Sequence, residues 1–154
     1  MGYTTNFTGQ FNLDKPLSDK DYEFLRKLNE TRRMIRNLPP KYGVDGEFFV
    51  DGSGLAGQDR DKTIIDYNCP PSTQPGLWCG WMPTDDKTGI EWDGREKFYN
   101  YIKWIEYIVE KILIPRGYVL NGEVSWIGED PSDLGLIVVK NNEVITKQGK
   151  VIYE

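Results

Sequence analysis

Histidine is absent from this 154-residue sequence, and its absence removes several common kinds of site. Histidine is the usual general base, the commonest metal ligand and the usual partner of a serine or cysteine nucleophile. The two cysteines, Cys69 and Cys79, form no Cys-x-x-Cys pattern, which favours free thiols over a disulfide. The sequence therefore favours a binding protein over an enzyme, and it predicts no cofactor and no metal ion.

Long apolar runs and an excess of basic residues are also missing. No apolar run reaches the roughly 18 residues of a membrane span, and residues 1–10 are too polar for a signal peptide, so a cytoplasmic protein is expected. Acidic residues outnumber lysine and arginine by 24 to 19, which gives a formal net charge of −5. This disfavours extended nucleic acid as a partner, because phosphate contacts need clustered basic residues. A small nucleotide in a local basic pocket stays open, as does self-association.

Two amphipathic helices are predicted from apolar spacing and capping residues. The first begins after the N-cap Ser18 and runs to about Asn37. The second has Asp93 as its N-cap, with Glu96 completing a capping box, and it ends at Pro115. Its apolar stripe recurs at spacings of three and four: Phe98, Tyr101, Ile102, Ile105, Ile108, Val109 and Ile112.

The remaining regular segments predict an antiparallel sheet. Residues 3–13 alternate between apolar and polar side chains, as in a strand with one buried face. Further strands are predicted at 78–82, 90–92, 117–127, 136–139 and 143–146, the run 136–139 being central because it is apolar on both faces. The predicted fold is a single α+β domain over residues 1–154, with about five to six antiparallel strands and both helices on one face.

Residues 38–77 interrupt this pattern, because they are rich in proline and glycine and show no helical period. Their aromatic and aliphatic content is too high for disorder, so an ordered loop packed over one sheet edge is expected, with 47–51 and 63–66 pairing as short strands. Gly52, Gly54 and Gly57 match a dinucleotide-binding pattern. No amphipathic helix follows them, so a flexible hairpin tip is the preferred interpretation.

The best candidate binding residues combine guanidinium groups with aromatic rings. They are Arg32, Arg36, Arg60, Tyr67, Trp78 and Trp81. Arginine holds phosphate through two parallel hydrogen bonds, and aromatic faces stack on nucleobases. The alternative is structural: arginines that complement the dipole at the end of the first helix, beside aromatic residues of the core.

Carboxylates offer a second candidate chemistry. An enzyme is conceivable in which Asp66, Glu91 or Asp93 acts as acid or base, on nucleotides or glycans. Carboxylate-only metal sites are conceivable at 59–61 or 129–133, although such runs are usually solvated turns.

Five motifs give the chain a resemblance to a known family. They are Trp78-Cys79-x-Trp81, Ile90-Glu91-Trp92-Asp93-Gly94, Glu96-Lys97-Phe98-Tyr99-x-Tyr101, Gly117-Tyr118-x-Leu120-Asn121-Gly122-x-Val124-x-Trp126 and Gly128-Glu129-Asp130. These motifs resemble a family of small uncharacterised proteins from bacteriophages and related bacterial genomes. The resemblance spans nearly the whole chain and brings no catalytic residues with it. It implies a small phage-type protein that acts in a bacterial cytoplasm.

Three functions are compatible with these observations. The favoured one is a non-enzymatic binding protein with a role in counter-defence, which sequesters a small nucleotide-like ligand or blocks a host protein. The second is a small hydrolase-type enzyme that uses the carboxylates named above. The third is a structural or host-takeover protein whose exposed aromatic residues bury against a protein partner.

Overall fold

In the computed structural model, which describes residues 2–50 and 62–154, the chain forms a six-stranded antiparallel sheet, a two-stranded sheet and two helices. This is the α+β architecture that the sequence predicts. The helices are α1 (Asp19–Glu30) and α2 (Tyr101–Ile108), and α2 continues into a π-helical stretch, Val109–Leu113. The strands are β1 (Thr5–Leu13), β2 (Ile35–Arg36), β3 (Ile64–Asp66), β4 (Trp81–Pro83), β5 (Gly89–Trp92), β6 (Leu120–Gly128), β7 (Leu134–Lys140) and β8 (Glu143–Gln148).

The strand order in the large sheet is β4-β5-β1-β6-β7-β8, and every neighbouring pair is antiparallel. β1 and β6 form its centre, where Phe7 lies opposite Trp126. The alternation predicted for β1 is confirmed, because Phe7 and Phe11 are buried while Thr8 and Asn12 between and beyond them are exposed. The run predicted to be central lies in β7, which has a neighbour on each side but is next to the sheet edge.

Both helices pack on the same face of this sheet. Leu25 and Leu28 of α1 and Ile105 of α2 belong to one buried cluster with Val124 of β6 and Ile137 of β7. Ile105, Val124 and Ile137 are fully buried. Burial of apolar side chains of this size contributes roughly 1.5–3 kcal/mol each to folding, before the entropy cost is subtracted.

Helix α1 begins as predicted but ends earlier. The Ser18 hydroxyl accepts a hydrogen bond from the Asp21 backbone N–H at 3.1 Å, which confirms the N-cap. The helix stops at Glu30 instead of about Asn37, because Thr31 is extended (φ −100°, ψ 126°). The next residues bond elsewhere: the Arg33 backbone N–H donates to the Leu77 carbonyl at 2.8 Å. These long-range contacts are not visible in the local helical period.

Helix α2 begins later than predicted, and its predicted capping box is wrong. The helix starts at Tyr101, after Asn100 in the left-handed conformation (φ 57°, ψ 36°). The Asp93 carboxylate instead accepts hydrogen bonds from the Arg95 backbone N–H at 2.8 Å and from the Asn29 side chain at 2.9 Å. Phe98 is buried as the stripe requires, but it lies in the loop that precedes the helix.

The end of α2 agrees with the prediction made from Pro115 and Gly117. The π-helical stretch ends at Leu113, and Gly117 has a positive φ of 83°. The wider turn of the π-helical stretch keeps Val109, Ile112 and Leu113 buried together.

The middle segment is ordered in its described parts, 38–50 and 62–77, but its predicted strand pairing is wrong. Residues 47–48 form a turn, and β3 pairs instead with β2, the short strand that follows α1. The segment packs on the scaffold through Phe48, whose ring lies 6.4 Å from that of Phe24, and through Val50, which contacts the core. The glycine pattern at 52–57 lies outside the described residues.

Two short turns join neighbouring strands of the large sheet. β4 and β5 form a hairpin in which Trp81 lies opposite Trp92. Asn141 and Asn142 join β7 to β8 with positive φ angles of 49° and 69°, as in a type I′ turn.

The two thiols are free, as predicted, with Cys69 exposed and Cys79 buried. Burial raises the pKa of Cys79 to about 12. Within the described ranges, no helix has the length and apolar character needed to cross a lipid bilayer.

Candidate functional site

The structure brings three of the six predicted site residues together. Arg32 follows α1, and its guanidinium lies 4.3 Å from the centre of the Tyr67 ring and 5.8 Å from that of the Trp78 ring. Its Nε donates to the Tyr67 carbonyl at 3.0 Å. All three side chains are half-buried. We call Arg32, Tyr67 and Trp78 the stacked arginine site.

Arg32 keeps its positive charge without a nearby counter-ion in the described part of the chain. No carboxylate of residues 2–50 or 62–154 forms an ion pair with it. The only side-chain hydrogen bond of Arg32 to a described residue runs from Nε to a carbonyl, so its two terminal nitrogens donate to no described acceptor. Stacking on aromatic rings fixes the plane of the guanidinium while leaving that edge available. This arrangement can accept a carboxylate or phosphate through two parallel hydrogen bonds.

Arg36 belongs to a different stack. Its guanidinium lies 4.5 Å from the centre of the Phe49 ring, and its Nη1 donates to the Thr63 hydroxyl at 2.9 Å. Arg36 therefore contributes positive charge from β2, while its ring partner is distinct from the pair that holds Arg32. Arg60 lies outside the described residues.

Trp81 is a core residue, which contradicts its predicted role in stacking on a ligand. It is 1% exposed, and its ring packs edge-on against Phe7 at 5.2 Å, Phe98 at 5.3 Å and Phe11 at 5.5 Å. Its indole N–H donates to the Tyr101 carbonyl at 2.9 Å. With its ring and N–H both used by the core, no face remains for a base.

Arg33 is the residue whose role sequence reasoning missed. It is only 3% exposed, although it lies between Arg32 and Arg36 in the sequence. Its guanidinium donates to the carbonyls of Phe49 and Gly46, the latter at 2.8 Å, and to the Gln74 amide oxygen at 2.8 Å. Burial lowers the pKa of Arg33 to about 10, so it remains charged at neutral pH. Backbone carbonyls of a glycine and a phenylalanine, with one glutamine side chain, give no sequence signal for this internal bonding.

Arg33 positions the stacked arginine site. It connects both described parts of the middle segment to the end of α1, since Gly46 and Phe49 lie in one part and Gln74 in the other. The Gln74 amide group extends the connection by donating to the Asp45 carbonyl at 2.8 Å. Tyr67 lies on the segment so anchored, Trp78 directly follows it, and Arg32 is the residue before Arg33. The buried arginine therefore holds the two sides of the site together.

Two buried polar atoms near this anchor have no hydrogen-bond partner among the described residues: the indole N–H of Trp104 and the hydroxyl of Tyr107. The two rings contact each other edge-on at 5.3 Å. Burial raises the pKa of Tyr107, and the charge of Arg33 opposes that rise. A Cβ atom placed on Gly76 would lie 3.5 Å from the Trp104 nitrogen, so this N–H faces the middle segment.

The carboxylates proposed for an enzyme are separated and partly occupied. Asp93 has a side chain only 5% exposed, which is held by Asn29 and Arg95. Asp66 lies in the two-stranded sheet and accepts from the Asn68 backbone N–H at 2.9 Å, whereas Glu91 lies in β5 of the large sheet. Asp66 therefore lies in a different sheet from Glu91, and the Asp93 carboxylate already accepts hydrogen bonds from its neighbours.

Of the two predicted carboxylate metal sites, only the one at 129–133 lies within the described residues. Residues 59–61 lie outside the described residues. At 129–133, Glu129 accepts from the Thr4 backbone N–H, Asp130 from Ser132, and Asp133 from the Tyr3 hydroxyl and the Trp126 indole. These contacts give the acids of the turn structural roles. Among the residues described, no group of three or more potential ligands could hold a metal ion.

A cavity of about 370 Å³ lies away from the arginines, between the end of α2 and the β7–β8 turn. Its lining includes the acidic side chains of Glu106, Glu110 and Glu143 and the amides of Asn141 and Asn142. Three carboxylates make this cavity unsuitable for phosphate. It was not anticipated from the sequence, because its walls come from distant segments.

Comparisons with known proteins give no match: no protein-family model, no curated protein and no solved structure is similar to this chain. The resemblance to phage-type proteins therefore stays a prediction from its motifs.

Proposed function

We propose that this protein is a non-enzymatic binding protein that captures a small anionic, nucleotide-like ligand at the stacked arginine site. The observation that carries the proposal is the state of Arg32, which is charged, stacked on Tyr67 and Trp78, and without a carboxylate partner among the described residues. The terminal nitrogens would hold a phosphate, and the half-exposed rings would offer an apolar surface to a base.

The overall charge favours a small ligand over a polynucleotide. A net charge of −5 repels a long phosphate chain, while one local guanidinium can still attract a compact anion. Arg36, in β2, adds a second positive charge four residues after Arg32 in the sequence. In the phage setting that the motifs imply, the capture of a signalling nucleotide would interfere with host defence.

Calorimetric titration with a panel of mononucleotides, dinucleotides and cyclic nucleotides tests this proposal. At least one member should bind wild-type protein, and Arg32→Ala should weaken that binding roughly 10- to 100-fold, because it removes charge-assisted hydrogen bonds. Arg32→Lys should give an intermediate loss, since it keeps the charge but not the paired nitrogens. Arg26→Ala, which removes an exposed arginine of α1, is the matched control and should bind like wild type.

Two results would contradict the proposal. One is the absence of binding to every nucleotide at high protein concentration. The other is binding that Arg32→Ala leaves unchanged while thermal melting shows that the variant is folded. Chromatography of the nucleotides after incubation distinguishes binding from catalysis, because a binding protein leaves the nucleotides chemically unchanged whereas an enzyme converts them to products. Product formation lost in Glu91→Gln but retained in Arg32→Ala would favour catalysis.

A further inference from the structure

The two edges of the large sheet differ in how they are protected. β4 is only three residues long and ends in Pro83, and both features discourage pairing with another strand. β8 has six residues and contains no proline, and β7 is its only neighbouring strand in the part of the chain that the structure describes. An edge of this kind presents unpaired backbone groups that can accept another strand.

The turn fixes which backbone groups of β8 face outward. Lys140 and Glu143 close the two-residue turn and so exchange hydrogen bonds with each other. Alternation then directs the N–H and C=O groups of Glu143, Ile145 and Lys147 towards β7. Those of Val144 and Thr146 point to the free edge. Beyond them, the Gln148 side chain turns back and donates to the Leu134 carbonyl at 3.0 Å.

We propose that two copies of this chain pair antiparallel through β8, with Ile145 on the two-fold axis, so that the two sheets form one continuous sheet. In this register Val144 lies opposite Thr146 of the second copy, and these residues supply the outward-facing hydrogen bonds. Glu143 lies opposite Lys147, and this ion pair occurs twice by symmetry. Ile145 lies directly opposite Ile145 of the second copy.

The sequence of β8 favours this register over its neighbours. The outward hydrogen-bonding groups restrict the alternatives to shifts of two residues. A shift in one direction places Glu143 opposite Ile145, and a shift in the other places Lys147 opposite Ile145. Opposite charges directly across a strand pair are favourable, and of these three registers only the one with Ile145 on the axis gains such a pair, twice.

Apolar side chains on the open face of the sheet add to this pairing. Ile145 is 40% exposed and lies opposite Val138 of β7, and Ile127 is 58% exposed opposite Leu134. These residues lie on the face opposite the helices, because the residue next to each one along its strand faces the core: Val144 next to Ile145, Ile137 next to Val138 and Trp126 next to Ile127. Pairing would continue this apolar strip across the two-fold axis. A contact limited to one strand edge is small, so we expect a weak dimer with a dissociation constant on the order of 10 μM to 1 mM.

Sedimentation equilibrium of the whole chain tests the proposal through charge reversal. Wild-type mass should rise with concentration from 17.8 kDa towards twice that value. Glu143→Lys and Lys147→Glu should each remain monomeric, because each places like charges opposite one another twice. An equimolar mixture of these two variants should dimerise, since every cross-strand pair is then opposite in charge. Glu123→Lys on β6, which makes the same change in net charge as Glu143→Lys away from the edge, should dimerise like wild type.

A backbone test is independent of charge. Thr146→Pro removes an N–H that faces outward, so it should abolish the dimer while leaving the β7–β8 bonds intact. Thermal melting of this variant checks that it is folded. Wild type that remains monomeric at millimolar concentration would overturn the proposal. So would a dimer that both charge variants retain, or assembly beyond two copies, because a two-fold edge contact closes.

Discussion

At the scale of single residues, two adjacent arginines have opposite roles. Arg32 is half-buried and its terminal nitrogens donate to no described acceptor, whereas Arg33 is enclosed and donates to four oxygen atoms. A sequence window cannot separate them, since both have the same side chain and neighbouring positions. The difference comes from the turn at Thr31, which ends α1 and directs successive side chains to different sides.

The internal role of Arg33 predicts a large effect on stability. Arg33→Met should lower the free energy of unfolding by about 3–5 kcal/mol, because it leaves the carbonyls of Gly46 and Phe49 and the Gln74 amide buried without a donor. Urea unfolding measures this loss. Arg26→Met, at a surface position of α1 with only long ion pairs, should cost less than about 1 kcal/mol. Equal stability of the two variants would show that Arg33 is not the anchor.

At the scale of elements, one carboxylate of α1 forms hydrogen bonds with residues that follow α2 in the chain. Asp21, in the first turn of α1, accepts from Arg116 Nη1 at 2.6 Å and from the Tyr118 hydroxyl at 2.7 Å. Although burial alone would raise the pKa of Asp21, hydrogen bonds from Tyr118 and Arg116 lower it below its usual value of 3.8. α1 is therefore joined near the surface to the segment between α2 and β6, as well as to the rest of the fold through the core.

This contact predicts a specific dependence on pH. Because the pKa of Asp21 is lower in the folded than in the unfolded state, the carboxylate stabilises the fold above about pH 4, and this contribution is lost as pH falls through the folded value. Asp21→Asn should be less stable than wild type by about 1–3 kcal/mol near pH 7, and the difference should shrink towards about pH 2. Urea unfolding at several pH values measures this. Asp85→Asn, in an exposed turn, is the control; a difference for Asp21→Asn that is constant with pH would contradict the assignment.

At the scale of the whole molecule, the sequence predicts what depends on local pattern. The alternation of β1, the Ser18 cap, the Asn141-Asn142 turn and the apolar face of α2 are local features, and the structure has each of them. The fold class followed from their order along the chain. The pairing of β2 with β3 and the start of α2 at Tyr101 depend on contacts between distant segments, so no periodicity could indicate them.

The candidate site follows the same division. Arg32, Tyr67 and Trp78, selected from residue chemistry as ligand-binding residues, are neighbours in the structure, and their binding role stays a prediction. Residue chemistry could not distinguish Trp81, since burial depends on how β4 and α2 meet in three dimensions. The role of Arg33 was missed for a related reason: its acceptors are mostly backbone carbonyls, which carry no residue signature.

Nuclear magnetic resonance of the tryptophan indole groups tests the proposed binding most directly. The chain has five tryptophans, and Trp78→Phe assigns the signal of the one that lies in the stacked arginine site. On titration with the tightest-binding nucleotide, the Trp78 signal should shift, while that of the core residue Trp81 should stay in place. Arg32→Ala should suppress the Trp78 shift. A shift at Trp81 without one at Trp78, or no indole shift at saturating nucleotide, would contradict the proposed site.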